Sequence, residues 1–302
     1  MIVSRIDGGL GNQMFQYAFG LYVARKRDTE LVLDLSSYVT GPQHGYVLDQ
    51  FCISARVATP IEQQQFPARY RPTTRPRRWL PDWLNSASLR RVKEKPFGFQ
   101  SKFLKAGDNS FLVGYWQSEQ FFPGLRQELK KQFSLRAPLS AKSQQVVDRM
   151  HACPSVALHV RRGDYLSNPE TAKIYEQLDR SYYQTCINQW TARKLGVQAF
   201  IFSNDLAWCH ENLKLPVKTQ FVDHSTKLLA HEDMLMMSHA ACCIIANSTF
   251  SWWGAYLNDR SDKVIYVPKQ WFKQRTLDDS DIACEGWLAV DSAPIQSLQR
   301  AA

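Results

Sequence analysis

The feature that most constrains the fold lies at the very start of the chain. A strand-like apolar run, Ile2 to Ile6, breaks into GGLGNQ and continues as MFQYAFGLYVARKR, which has helical apolar spacing and a basic end. A second strand-like run, LVLDL at Leu31 to Leu35, follows. Strand, glycine turn, helix and strand together open a doubly wound α/β fold. After a basic stretch, FLVGYW at Phe111 to Trp116 reads as another buried strand and Glu119 to Phe133 as a helix, which closes a first lobe near residue 135. The second half alternates more regularly. Its strand-like runs are SVALHV (155–160), QAFIFS (198–203), TQFV (219–222), CCIIA (242–246) and KVIYVP (263–268), with helical patterns between them. That alternation predicts a parallel sheet with helices on both faces and ligands at the carboxyl ends of its strands. The expected domains are 1–140, with a basic insertion around 66–105, and 141–302, joined by a linker at Ala137 to Gln145.

Composition narrows the class. No stretch approaches the roughly 18 to 20 apolar residues that span a bilayer, and the start lacks a basic-then-apolar secretory layout. The expected location is therefore cytoplasmic. Seven scattered cysteines, an odd number, fit buried thiols better than a disulfide framework. A net charge of +9 implies an anionic partner. Arg and Lys crowd between Arg69 and Lys105, with Trp79 and Trp83 interleaved. This stretch reads either as a solvated irregular insertion or as a peripheral contact with an anionic membrane surface such as the inner membrane. Nucleic acid is not an expected partner, because no zinc, helix-turn-helix or RNA-recognition signature accompanies the charge.

Four strand-like runs end at once in polar or glycine-rich clusters: GGLGNQ, HVRRGDY, SND and NSTFSWW. Their coincidence says more than any one alone. Gly8, Gly9 and Gly11 let backbone N–H groups approach an anion at a helix start, and Asn12 adds a neutral donor. The run is not the dinucleotide fingerprint, since Asn12 and Gln13 stand where the spacing and a third glycine are expected. In HVRRGDY, His159 and Arg161 share a strand face, with Arg162 opposite. Arg161 is the candidate grip on a pyrophosphate, and Arg162 the candidate for a structural ion pair. Ser203, Asn204 and Asp205 form the third strand-end cluster and count among the donor-binding candidates. Ser248, Thr249 and Phe250 open a helix, as an anion site or as an ordinary N-cap. Asp233, at the start of another helix, could pair with the donors of a nucleotide base or simply face water. His224, His231 and Glu232 make no metal set, for neither HExxH nor DxD spacing is present. The expectation is a diphosphate stabilised by cationic side chains and helix dipoles, with no metal and no cofactor.

HVRRGDY, together with GGLGNQMFQYAFG, FSND and NSTFSWWGAYL, resembles the bacterial α-1,2-fucosyltransferases of glycosyltransferase family 11. The match is ordered along nearly the whole chain and weakest in the basic insertion. The resemblance implies a GT-B-like architecture of two facing Rossmann-like domains, acceptor-side first and donor-binding second. It implies GDP-β-L-fucose as donor, a galactose-containing glycan as acceptor, inversion to an α-1,2 linkage, and a place in surface-polysaccharide synthesis such as that of O-antigen. By the same likeness Arg161 grips the β-phosphate, His159 stands beside the nucleotide, Asp233 holds guanine, Ser248 to Phe250 line the diphosphate, and Asn12 sits near the transferred sugar. Asp164 is a candidate base, or an orienting partner of Arg161 or Arg162. The alternatives are another sugar-nucleotide-dependent glycosyltransferase and a non-catalytic nucleotide-binding module.

Overall fold

The computed structural model describes residues 1–302 except 40–44, 68–69, 71–88, 164–167, 176, 224–228, 275 and 292–302. The chain divides into two compact units, Met1–Arg136 and Ala137–Ala302.

In the first unit β1 (Ile2–Arg5), β2 (Leu31–Asp34), β3 (Arg56–Val57), β4 (Arg90–Lys93) and β5 (Ser110–Val113) form one parallel sheet in the order β3-β2-β1-β5-β4. Ile2 stands opposite Leu31 on one side and Ser110 on the other. The direction of strand addition reverses between β1 and β5. Helix α1 (Leu10–Lys26) is buried on nearly every side. At Gly20 it lies so close to the sheet that an added Cβ would come within 2.8 Å of the Leu31 side chain and 3.1 Å of Ser4 Cβ. The helix thereby brings Phe19 against Trp116, with ring centroids 4.2 Å apart, and Phe103 and Phe121 close the same aromatic cluster. Burial of four aromatic rings of this size dominates the packing energy on that face of the sheet. Val3, Val32, Phe66, Leu89 and Phe111 form a further apolar core. Two short helices, α2 (Pro60–Gln63) and α3 (Arg126–Gln132), complete the unit.

The second unit carries α4 (Ala141–His151), α5 (Pro169–Ile174), α6 (Arg180–Thr191), α7 (Leu206–Asn212), α8 (Ala230–Met237) and α9 (Thr249–Tyr256). Its strands are β6 (Ser155–Val160), β7 (Gln198–Ser203), β8 (Lys218–Phe221), β9 (Cys242–Ile244), β10 (Val264–Pro268) and β11 (Leu288–Val290). All are parallel, in the order β11-β10-β9-β6-β7-β8. The chain adds β7 and β8 on one side of β6, then crosses over to β9, β10 and β11 on the other. Counted from β6, this is the 3-2-1-4-5-6 order of the dinucleotide-binding fold, and its switch point falls between β6 and β9. Val156, Leu158 and Val160 pack into a core with Tyr182, Tyr183, Ile187 and Trp190 of α6. The buried Tyr182 hydroxyl donates to the Ile245 carbonyl at 2.8 Å, so the helix is tied to the chain just beyond β9.

Four details differ from the sequence reading, each for a physical reason. The expected helix from Glu119 to Phe133 is broken: a single 3-10 turn at Glu119–Phe121 precedes α3, because Pro123 and Gly124 (φ 78°) interrupt it. The linker is shorter than Ala137 to Gln145, since Ser140 caps α4 by accepting from the Ser143 amide. The basic stretch is not all insertion, because Arg90–Lys93 is the edge strand β4, paired in register with β5. Strands β3, β4 and β11 escaped notice because they are short, mostly exposed edges; β3 and β4 also carry charge, which on such an edge deters further strand addition. Trp79 and Trp83, on which the membrane reading leaned, lie outside the described residues. No helix among the described residues is long and apolar enough to cross a membrane.

Candidate active site

The neighbouring strands β7, β6 and β9 end in the three clusters singled out from sequence, at the switch point of the second sheet. His159 is the penultimate residue of β6 and is 4% exposed. Its ring lies 5.4 Å from that of Phe250 on α9, and its Nδ1 has no hydrogen-bond partner among the described residues. Burial, with the positive charge of Arg161 beside it, pushes the imidazole down to about 3. His159 is therefore a neutral wall of the site at physiological pH.

Arg162 turns the other way. Its guanidinium lies 3.6 Å from Asp205 and 4.0 Å over the Trp208 ring, while its amide donates to Asn204 Oδ1 at 3.0 Å. The structural ion pair expected of Arg162 is thus present. An added Cβ on Gly163 would fall 2.5 Å from Asn204 Nδ2, so a larger residue there would displace the Asn204 amide that holds the Arg162 N–H. Asp205 also caps α7 through the Trp208 amide, and Ser203 Oγ accepts from the Asp205 amide. Ser203, Asn204 and Asp205 consequently brace the turn that carries Arg161, and Asp205 is engaged at both carboxylate oxygens.

At the end of β9, Ser248 occupies the N-cap position of α9 without a side-chain cap hydrogen bond. The ordinary N-cap reading of this residue is therefore not what the structure has. The first-turn amides of Thr249 and Phe250 carry the positive end of the helix dipole with no capping oxygen from Ser248. Asn247 is fixed by donating to the Trp271 carbonyl, and Ser251 by bonding back to Ala246 and Ser248. On α8, Glu232 accepts from the amide and hydroxyl of Ser140 and from the Ser143 hydroxyl. Burial opposes its ionisation, but these bonds outweigh it and hold the carboxyl below the usual range. Its neighbour Asp233 is pushed up to about 7, by burial first and the Glu232 charge second.

In the first unit, Gly8 has φ 79°, which glycine adopts without strain. Its carbonyl accepts from Gln13 Nε2 at 3.0 Å and from the Tyr38 hydroxyl at 2.7 Å. Gln16 Oε1 accepts from the Asp7 amide at 2.8 Å. Gly9 is the N-cap of α1 and Gly11 lies in its first turn, so Asn12 is a helical residue rather than a loop one. Asn12 Oδ1 accepts from Gln117 Nε2 at 2.9 Å. Gln13, Gln16, Tyr38 and Gln117 were not singled out from sequence. Gln13 and Gln16 stood inside the quoted motif, as amides beside a glycine turn, and that was the available signal. Asp164 and His224 lie outside the described residues. Among the described residues no three His, Cys, Asp or Glu side chains gather as a metal site.

Two units with parallel sheets, each wound about a switch point, define a GT-B-like α/β protein. The chain belongs to glycosyl transferase family 11, whose sequence profile matches residues 71–291. It is 32% identical to an α-1,2-colitosyltransferase of Escherichia coli, over 96% of this chain and 99% of that protein. It is 29% identical to the O-antigen biosynthesis glycosyltransferase WbnK of Escherichia coli, over 94% and 99%. With galactoside α-(1,2)-fucosyltransferase 1 of Lagothrix lagotricha it shares 26% identity, over 83% of this chain and 63% of that protein. The fold matches that of NodZ α-1,6-fucosyltransferase soaked with GDP-fucose, with a TM-score of 0.51, 16% identity, and coverage of 85% of this chain and 91% of that one.

Proposed function

We propose that the protein transfers L-fucose from GDP-β-L-fucose to a galactoside hydroxyl, the 2-OH, with inversion to an α-1,2 linkage. The observation that carries this reading is the convergence of His159–Arg161, the braced SND cluster and the uncapped start of α9 on three adjacent strand ends. Arg161 grips the β-phosphate, and the Thr249 and Phe250 amides supply further donors to the diphosphate. The neutral His159 ring flanks the nucleotide and adds no competing charge. Asp233 accepts from the paired donors of guanine, and Asn12 offers a neutral amide to the transferred sugar. Cleavage of the C1–O bond develops positive charge on the sugar ring and negative charge on the leaving diphosphate. A guanidinium and a helix N-terminus stabilise the latter without a divalent ion. The acceptor hydroxyl must lie in line with the breaking bond and lose its proton as it attacks. Because a deoxysugar tolerates an oxocarbenium-like transition state, diphosphate stabilisation carries much of the rate.

The 32% identity to a colitosyltransferase favours one second reading, with colitose, fucose lacking its 3-hydroxyl, as the transferred sugar. Incubation with lactose and either GDP-fucose or GDP-colitose, in EDTA, tests both. Free GDP and a fucosylated trisaccharide are expected. A strong preference for GDP-colitose moves the assignment to the second reading, and GDP release that returns only on adding Mn²⁺ or Mg²⁺ overturns the metal-free mechanism.

A further inference from the structure

The first unit holds a cavity of its own, about 310 Å³, lined among others by Asp7, Gln16, Lys93, Glu94, Phe97 and Tyr115. Its size falls at the lower end of the range for small-ligand sites, about 300–1,000 Å³. All but Gln16, which comes from α1, follow or end β1, β4 and β5, so the cavity lies at the carboxyl ends of three adjacent strands, at the switch point of the first sheet. None of them belongs to the strand-end clusters assigned to the nucleotide.

The wall is built with effort. Glu94 Oε2 accepts from the amides of Tyr115 and Trp116, at 2.6 and 3.0 Å. The turn it holds includes Trp116 at φ 56°, a left-handed conformation that a bulky residue adopts only when its surroundings impose it. The consequence of the turn is to leave Tyr115 43% exposed beside the cavity while Trp116 is wholly buried. Asp7 is exposed, and its amide and carboxylate are fixed by Gln16 and Gly8. Burial, with Asp7 and Glu94 nearby, raises the Tyr115 phenol although part of its ring reaches solvent, which keeps the hydroxyl a neutral donor.

Charge selects the ligand class. The wall carries two cations, Arg5 and Lys93, and two carboxylates, Asp7 and Glu94, and Arg5 is already fastened to Asp34 at 3.3 Å and to Ser36. The wall therefore offers no net positive charge to draw in a phosphate. An uncharged polyol with an apolar ring face meets an aromatic surface, carboxylate acceptors and an amide. We infer that this cavity binds the terminal hexose of the acceptor glycan, with Tyr115 as its stacking surface and Asp7 and Gln16 as partners of its hydroxyls. The inference rests on the acceptor being a neutral galactoside, as proposed above. It gives the C-terminal part of the basic stretch a role, since Lys93, Glu94 and Phe97 all come from it.

The test is titration of lactose into GDP-saturated protein, followed by calorimetry or saturation-transfer NMR, for the unmodified chain, Tyr115→Ala, Tyr115→Phe and Asp7→Asn. Lactose affinity is expected to fall roughly tenfold in Tyr115→Ala, the scale of one lost aromatic contact, and to be largely kept in Tyr115→Phe. It falls in Asp7→Asn as well, while GDP affinity stays the same in all three. Unchanged lactose affinity in Tyr115→Ala and Asp7→Asn overturns the inference, as does an absence of lactose binding to the unmodified chain. Release of GDP from GDP-fucose by the unmodified chain, measured without lactose, reports on the donor reading separately. Its failure alongside Tyr115-dependent lactose binding removes the donor and leaves the cavity.

Discussion

Gln117 donates to Asn12 Oδ1 at 2.9 Å across 105 residues of sequence and so fixes which end of the Asn12 amide is turned outward. With its oxygen engaged, Asn12 presents its NH₂ group. Gln117→Ala should lower kcat about five- to tenfold, the scale of one positioning hydrogen bond. Gln117→Glu should lower it further, because a carboxylate accepts instead of donating and turns the Asn12 amide around. Steady-state kinetics with a fixed GDP dissociation constant check this, and full turnover in Gln117→Glu removes the positioning role.

The two arginines of the β6 end should separate by phenotype. Arg161→Ala is expected to abolish nearly all transfer and weaken GDP binding, with Arg161→Lys restoring only part, since a point charge lacks the bidentate fork. Arg162→Ala should instead lower stability by about 1–2 kcal/mol, through the lost Asp205 pair and the stacking on Trp208. Thermal melts and GDP titrations on both variants distinguish the roles.

The guanine-binding role proposed for Asp233 predicts that GDP binding depends on pH. Its carboxyl is held at about 7, and a guanine donor pair binds the ionised form, so affinity should drop as pH falls through 7. The folded protein takes up this proton more readily than the unfolded chain does, so the group contributes stability at low pH that is lost as pH rises through about 7. Asp233→Asn should therefore raise the melting temperature at pH 8 and remove the pH dependence of GDP binding. Calorimetric titrations between pH 6 and 8 decide it.

Gly114 borders the cavity of the first unit, where an added Cβ would lie 2.5 Å from Glu94 Cβ and 2.8 Å from the Trp116 ring. Gly114→Ala should cost about 1–3 kcal/mol, typical of overpacking. Denaturant unfolding measures it, and a loss under 0.5 kcal/mol, the scatter of ordinary surface changes, shows that the wall yields.

What the sequence revealed, and what it hid, follows from the range of the interactions. Strands β6 and β7 were legible to the residue because an apolar run stops abruptly at polar residues, and that same abruptness marked Arg161, Asn204 and Ser248. Strand β4 was not legible, because RRVK carries its charges on an exposed edge and is recognisable only once β5 lies beside it. Gln117 became significant only through its contact with Asn12. The depressed imidazole of His159 and the raised carboxyl of Asp233 depend on burial, which composition does not reveal. The bracing role of Asp205 needed the meeting of two strand ends.

Ser140 stands where the chain enters the second unit, and it gives Glu232 both its amide and its hydroxyl. Truncation of the protein for separate production of that unit therefore has a sharp limit. A fragment starting at Ala141 would keep the whole of α4, yet would put a charged amino terminus in place of the capping hydroxyl and alter the carboxylate adjoining Asp233. A fragment starting at Ala137 keeps the latch, so the two should differ in nucleotide affinity although they share every strand and helix of the unit.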